Sequence, residues 1–203
     1  VSGKGVPGAL VMASVRATLR SEARMHLSPK HVLQMVNEQA VRDTKDNVFI
    51  TVTYGVLDLE TGKFRFCRAG HEPVICCNMH EGKVVTYTPE GIALGIIAGE
   101  MFDITEEEEI DLSEEDVVVL YTDGVIEAMN QKQEEYGEKR FHQVLQDNTD
   151  APLDSLVTRI VRDIEDFTGE LPQHDDITLV MLNWKSRQHA VQSEKVEVKT
   201  STG

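Results

Sequence analysis

The chain has 203 residues, 40% hydrophobic and 27% charged, the composition of a globular domain with one core or at most two small ones. Its formal net charge of −15 argues against a bare nucleic-acid binder, because phosphate backbones attract basic surfaces. No apolar stretch approaches the roughly 20 residues needed to cross a bilayer, and the opening Val-Ser-Gly-Lys-Gly lacks a signal-peptide core, so a cytoplasmic protein with no membrane segment is expected.

In chain order, Gly3-Lys4-Gly5 reads as a tight turn, and Pro7 suits the first turn of a helix running to Met25, with Leu10, Val11, Val15 and Leu19 at helical spacing. Ala13, Ser14 and Ala17 read as close helix packing. Ser28-Pro29 opens a second helix to about Asp43, with Val32, Met35, Val36 and Ala40 on its apolar face. A meander of strands follows: 48–59, then 63–69 after the Glu60-Thr-Gly62 turn, then a hairpin of 74–79 and 83–87 around Glu81-Gly82. Phe102 to Leu112 reads as a further strand, with the run Glu106 to Glu109 on a solvated edge, and Asp116 to Thr122 as a central strand. Helices are expected over about 138–146 and 152–167, the latter with Leu153, Leu156, Val157, Ile160, Val161 and Ile164 on one stripe, and a last strand over 177–184. The polar stretch 185–203 has no periodicity and is expected to be a disordered tail behind a domain of residues 1–184. Hairpin-linked strands between helix pairs make the class α+β, with helices flanking stacked, mostly antiparallel sheets.

Cys76 and Cys77 are neighbours in a strand and point to opposite faces, which disfavours a disulfide between them, and no C-x-x-C pair supports a zinc or redox site. Two acidic positions carry candidate chemistry. Asp123 sits where the central strand meets Gly124, and Asp175 and Asp176 sit just before the last strand. Carboxylates at core-strand ends can converge on a hard divalent cation, although Asp-Gly is also a common turn and Asp-Asp a common cap.

Five segments, in order, carry a resemblance. They are Val1-Ser-Gly-Lys-Gly-Val-Pro-Gly-Ala-Leu10, Cys67-Arg-Ala-Gly-His-Glu-Pro73, Gly91-Ile-Ala-Leu-Gly-Ile96, Leu120-Tyr-Thr-Asp-Gly-Val-Ile-Glu-Ala128 and Asp175-Asp-Ile-Thr-Leu179. They resemble, in that order, the D-x-S-G-K-G-x-P-A-A-L, A-G-H-x-P, G-x-x-L-G-I, L-Y-T-D-G-V-x-E-A and D-D-x-T-L motifs of SpoIIE/RsbU-type metal-dependent serine/threonine protein phosphatases of the PPM family. The resemblance implies an α-β-β-α sandwich lacking its first strands. It also implies a site for two Mn²⁺ or Mg²⁺ ions that activate a hydroxide for attack on a phosphoserine or phosphothreonine.

The protein ligands so implied are Asp123, Asp175 and the backbone carbonyl of Val1, with Asp176 the less favoured of the adjacent pair. The family's other carboxylates map upstream of Val1, so this chain alone is expected to hold metal weakly. No side-chain nucleophile is implied. Lys4 is a weak candidate for meeting substrate phosphate and His71 for proton donation, the ordinary reading of each being structural; His174, next to Asp175, reads equally as a support for that ligand and as an exposed loop residue. The implied substrate is a phosphorylated regulatory protein, an anti-sigma-factor antagonist. The implied partner within the protein is an upstream sensory or dimerisation module acting through the first helices, whose junction is loosened by glycines at 3, 5 and 8. The rival reading is a non-catalytic phosphatase-like interaction domain.

Overall fold

The computed structural model describes residues 1–2, 5–25, 28–43, 48–173 and 175–186. The chain opens with helices α1 (Val6–Met25) and α2 (Pro29–Asp43). Strands β1 (Val52–Leu57), β2 (Lys63–Ala69), β3 (Val74–Asn78) and β4 (Lys83–Tyr87) follow. After a 3₁₀ turn at Gly99–Ile104 come β5 (Glu107–Asp111) and β6 (Asp116–Tyr121). Helices α3 (Asp123–Ile126), α4 (Gly137–Asp147) and α5 (Leu153–Thr168) precede the last strand, β7 (Leu179–Asn183). All strand pairs are antiparallel and form two sheets, β1-β2-β5 and β4-β3-β6-β7.

The alternation of side chains along the strands sorts the core into three layers. Phe64 and Phe66 of β2, Val74 and Cys76 of β3, and Val118 of β6 fill the space between the sheets. From the same strands, Cys67 and Ala69 face the other way and pack with Val32, Leu33, Val36 and Ala40 of α2. Ile75, Cys77, Val117, Val119 and Tyr121 face Phe141 and Leu145 of α4 and Leu156, Ile160 and Ile164 of α5. This is the α-β-β-α sandwich that the resemblance implied.

Ser28 caps α2 as its sequence predicts, its Oγ accepting the His31 N–H at 3.3 Å. The acidic run is more than a solvated edge. Glu107 accepts hydrogen bonds from the Ser28 hydroxyl at 2.7 Å and the Lys30 N–H at 3.1 Å, so a carboxylate on β5 sits at the positive end of α2.

Two expectations need correction. The strand read over Phe102 to Leu112 begins only at Glu107, because Gly99 adopts φ 64° and the chain winds into a 3₁₀ turn that drives Phe102, 2% exposed, into the α2 layer. The strand read over 48–59 is paired in β1 only from Val52 to Leu57, with Ile50 making a separate bridge to Leu94. Helix α3 has four residues, too few for any periodic signal, and no helix was expected there. Residues 187–203 of the expected tail lie outside the described residues.

Cys67, Cys76 and Cys77 are free and buried, and Cys76 and Cys77 do face opposite layers. Burial pushes each thiol pKa up to about 12. A water-soluble disulfide reagent at neutral pH should therefore leave all three unmodified in the native protein and label all three in denaturant. Rapid native labelling of any of them would contradict this packing.

Candidate metal centre

Antiparallel pairing brings the candidate residues to one edge. Strand β6 runs out to this edge and β7 starts from it, their last paired residues being Tyr121 and Leu179. Asp123 follows the end of β6 and Asp175 and Asp176 precede the start of β7, so both acidic segments emerge side by side. Strand β3 begins at the same edge, because it runs antiparallel to β6, and the connection Gly70 to Pro73 arrives there from β2. The start of β1 is paired to the end of β2 through Val52 and Ala69, which places Thr51 on the same rim. Ser2 joins it by donating its N–H to the Phe49 carbonyl at 2.8 Å, while the Phe49 N–H donates to the Ser2 hydroxyl at 2.8 Å.

The result is a cleft of about 950 Å³. One wall carries Asp123, Asp175, Asp176 and Thr178, the other Val1, Gly5 and Thr51, and Gly70, His71 and Glu72 lie between them. Asp123, Asp175, Asp176, His71 and Val1 are thus brought to one cavity. Lys4 and His174 lie outside the described residues. Both Asp175 and Asp176 line the cleft, and both precede β7 and are not strand residues.

The two acidic segments touch. A Cβ on Gly124 would lie 2.5 Å from the Asp176 carbonyl oxygen, so only glycine fits beside Asp123. Asp123 accepts the Gly124 N–H at 2.9 Å and Asp175 accepts the Asp176 N–H at 2.8 Å, each turn using one carboxylate oxygen. Arg68 fixes the intervening connection by donating from Nη1 to the His71 carbonyl at 2.6 Å.

The electrostatics are those of a concentrated negative site. Burial raises the pKa of Glu72, and the charges of Asp123, Glu138 and Glu127 raise it further, with Arg68 opposing. Burial lowers the pKa of His71, which the Asp123 carboxylate partly offsets, so the ring favours its neutral form. Glu72, Gln173 and Thr122 line the cleft without having been singled out in the sequence. Only the position of Glu72 within A-G-H-x-P and of Thr122 within L-Y-T-D-G could have marked them.

Among the described residues no three His, Cys, Asp or Glu side chains converge on one point. The donor set nevertheless suits a hard cation. It consists of solvent-accessible carboxylates and carbonyls with no thiolate, and Mg²⁺ commonly binds through one or two carboxylates while keeping its waters. The two acidic segments offer such an ion the carboxylates of Asp123, Asp175 and Asp176.

Comparison with known proteins identifies the family. The sequence profile of the Stage II sporulation protein E (SpoIIE) family matches residues 1–185. Phosphoserine phosphatase RsbU of Bacillus subtilis is 27% identical over 190 residues, covering 91% of this chain and 54% of that protein. Protein IcfG of Synechocystis is 30% identical over 163 residues, covering 74% of this chain and 24% of that protein. The chain therefore spans about half or less of the curated relatives it matches. The SiaA-PP2C domain of Pseudomonas aeruginosa superimposes with a TM-score of 0.77 at 22% identity, covering 91% of this chain and 73% of that one. The PP2C phosphatase domain of Bacillus subtilis SpoIIE, solved with a fragment of its regulatory domain, gives 0.70 at 17% identity, covering 88% and 51%. The profile match over nearly the whole chain and the shared sandwich lead to one conclusion: this chain belongs to the SpoIIE family and has the fold of PP2C phosphatase domains.

Proposed function

We propose that the chain is a Mn²⁺- or Mg²⁺-dependent protein serine/threonine phosphatase domain whose substrate is a phosphorylated regulatory protein, an anti-sigma-factor antagonist. The observation that carries this reading is that Asp123 and Asp175, distant in sequence, line one open cleft on abutting turns. When bound, divalent ions supply Lewis-acid activation of water and neutralise phosphate charge. That second role answers a difficulty of this chain, since a net charge of −15 repels a phosphoprotein unless cations screen it locally.

The chain's own residues hold and orient. Asp123 and Asp175 present oxygens from the turns that flank β6 and β7, and Val1, which lines the same cleft, would add its backbone carbonyl. Asp176 lies beside Asp175. His71 and Glu72 line the floor between the walls. A more apolar groove of about 470 Å³ opens beside the cleft and shares Gln173 and Asp175 with it, giving room for residues flanking a phosphoserine. No helix among the described residues is long and apolar enough to cross a membrane, which is compatible with a phosphoprotein substrate in the cytoplasm.

The experiment is hydrolysis of p-nitrophenyl phosphate by the intact protein with and without Mn²⁺. Turnover should require the metal and fall to background in Asp123→Asn. Turnover that survives Asp123→Asn would end the metal assignment. A protein that binds its phosphoprotein partner without turnover, with or without Mn²⁺, would instead support the non-catalytic interaction domain.

A further inference from the structure

The ladder between β6 and β7 ends one step beyond the Tyr121–Leu179 pair, where the Thr122 N–H donates to the Thr178 carbonyl at 3.1 Å. Past that point the chain after β6 turns into α3, and no backbone hydrogen bond joins the two acidic segments among the described residues. A side chain joins them instead. The Thr122 hydroxyl donates to the Asp176 carbonyl at 3.0 Å and accepts the Thr178 N–H at 2.9 Å. It thus uses both its donor and its acceptor capacity on the opposing segment.

This use is unusual for the position. Thr122 is the residue before α3, where a threonine hydroxyl normally accepts a helical N–H as a cap. Here it makes no capping bond to the helix. Its hydroxyl is turned across to the 176–178 segment, one residue from Asp123 along its own chain segment and one from Asp175 through the Asp176 carbonyl. Gly124 on the far side of Asp123 rests against the same carbonyl. The Asp176 backbone is therefore held between a hydrogen bond from Thr122 and a close contact with Gly124.

We infer that Thr122 is a positioning residue of the metal centre, whose hydroxyl sets the spacing between the Asp123 and Asp175 carboxylates. The inference rests on the metal-dependent reading above and deepens it. Serine at 122 keeps both hydrogen bonds. Valine keeps the shape of threonine and neither bond. The two backbone groups left behind lie at an exposed edge where water can satisfy them, so the fold tolerates the loss and the spacing does not.

The test is titration of the protein with Mn²⁺, following free Mn²⁺ by its electron paramagnetic resonance signal, which needs no turnover. Thr122→Val should weaken Mn²⁺ binding by about 10-fold or more, the range seen when an outer-shell partner of a metal ligand is removed. Its metal-free thermal midpoint should stay near that of the unmodified protein. Thr122→Ser should bind like the unmodified protein. Thr122→Cys, whose thiol is a weak donor and acceptor, should fall between and serves if the valine variant does not fold. Asp123→Asn run alongside separates the two ideas. If it weakens binding while Thr122→Val does not, the role of Thr122 is overturned and the metal centre stands. If Asp123→Asn binds Mn²⁺ undiminished, the metal centre itself falls, and the role of Thr122 falls with it.

Discussion

Gly91→Ala should cost about 3 kcal/mol of stability or more, at the upper end of what overpacking of a dense interior produces. The added Cβ would fall far inside van der Waals contact distance of the Arg68 carbonyl oxygen, with the Arg68 carbonyl carbon 2.9 Å away. The obstacle is backbone, so no rotamer change relieves it. The surroundings are also fixed, since the Gly70 N–H donates to the Gly91 carbonyl at 3.2 Å and a Cβ on Gly70 would meet Ala93 at 2.9 Å. The 91–95 segment and the Arg68–Gly70 turn are interlocked glycine against backbone. Urea unfolding of Gly91→Ala beside Gly99→Ala isolates the steric part. Gly99 has φ 64° and open space around its missing Cβ, so its alanine variant bears only the left-handed backbone cost of about 1–2 kcal/mol. Equal midpoints for the two variants would show that the close approach at Gly91 relaxes cheaply.

Gly124→Ala should spare the fold and damage the site. Its Cβ would lie 2.5 Å from the Asp176 carbonyl oxygen, 3.0 Å from the Asp176 carbonyl carbon and 3.5 Å from the Asp175 carbonyl carbon. The 175–176 segment precedes β7 and is exposed, so it can yield where the interior at Gly91 cannot. Yielding moves Asp175 away from Asp123. The expected result is a 10- to 100-fold loss in Mn²⁺ affinity, of the size that follows when the support of a metal ligand is disturbed, with only a small shift in the urea midpoint. Unaltered Mn²⁺ affinity would show that the spacing of these two turns is irrelevant to the cation.

Much of the architecture was legible because amphipathic periodicity is a strong signal. The stripe Leu156, Ile160 and Ile164 is the buried face of α5, and the unbroken Val117, Val118, Val119 run marks a strand covered on both faces. The misreading at Phe102 has the same origin. Phe102, Asp103 and Ile104 alternate like a half-buried strand, but three residues cannot distinguish that from a 3₁₀ turn, and the deciding contact of Phe102 with the α2 layer is long-range. Asp123 and Asp175 stood out by their place at core-strand ends, and motif resemblance gave them a role. Their meeting depends on the register of β6 against β7, which no local pattern encodes. Thr122 and Gly124 escaped notice for a related reason: each is an ordinary turn residue until the opposing segment is in place. The glycines of A-G-H-x-P and G-x-x-L-G-I likewise gained a physical meaning only when Gly70 and Gly91 were found against each other.

Sheets stacked face to face stand about 10 Å apart, a distance dictated by the residues sandwiched in the middle. In this protein the two banks of the cleft flank different sheets, Thr51 beside β1 of the first and Asp123, Asp175 and Thr178 beside the ends of β6 and β7 of the second. The aperture offered to an incoming phosphoryl group is consequently gauged by Phe64, Phe66 and Val118, which act as spacers and never meet it.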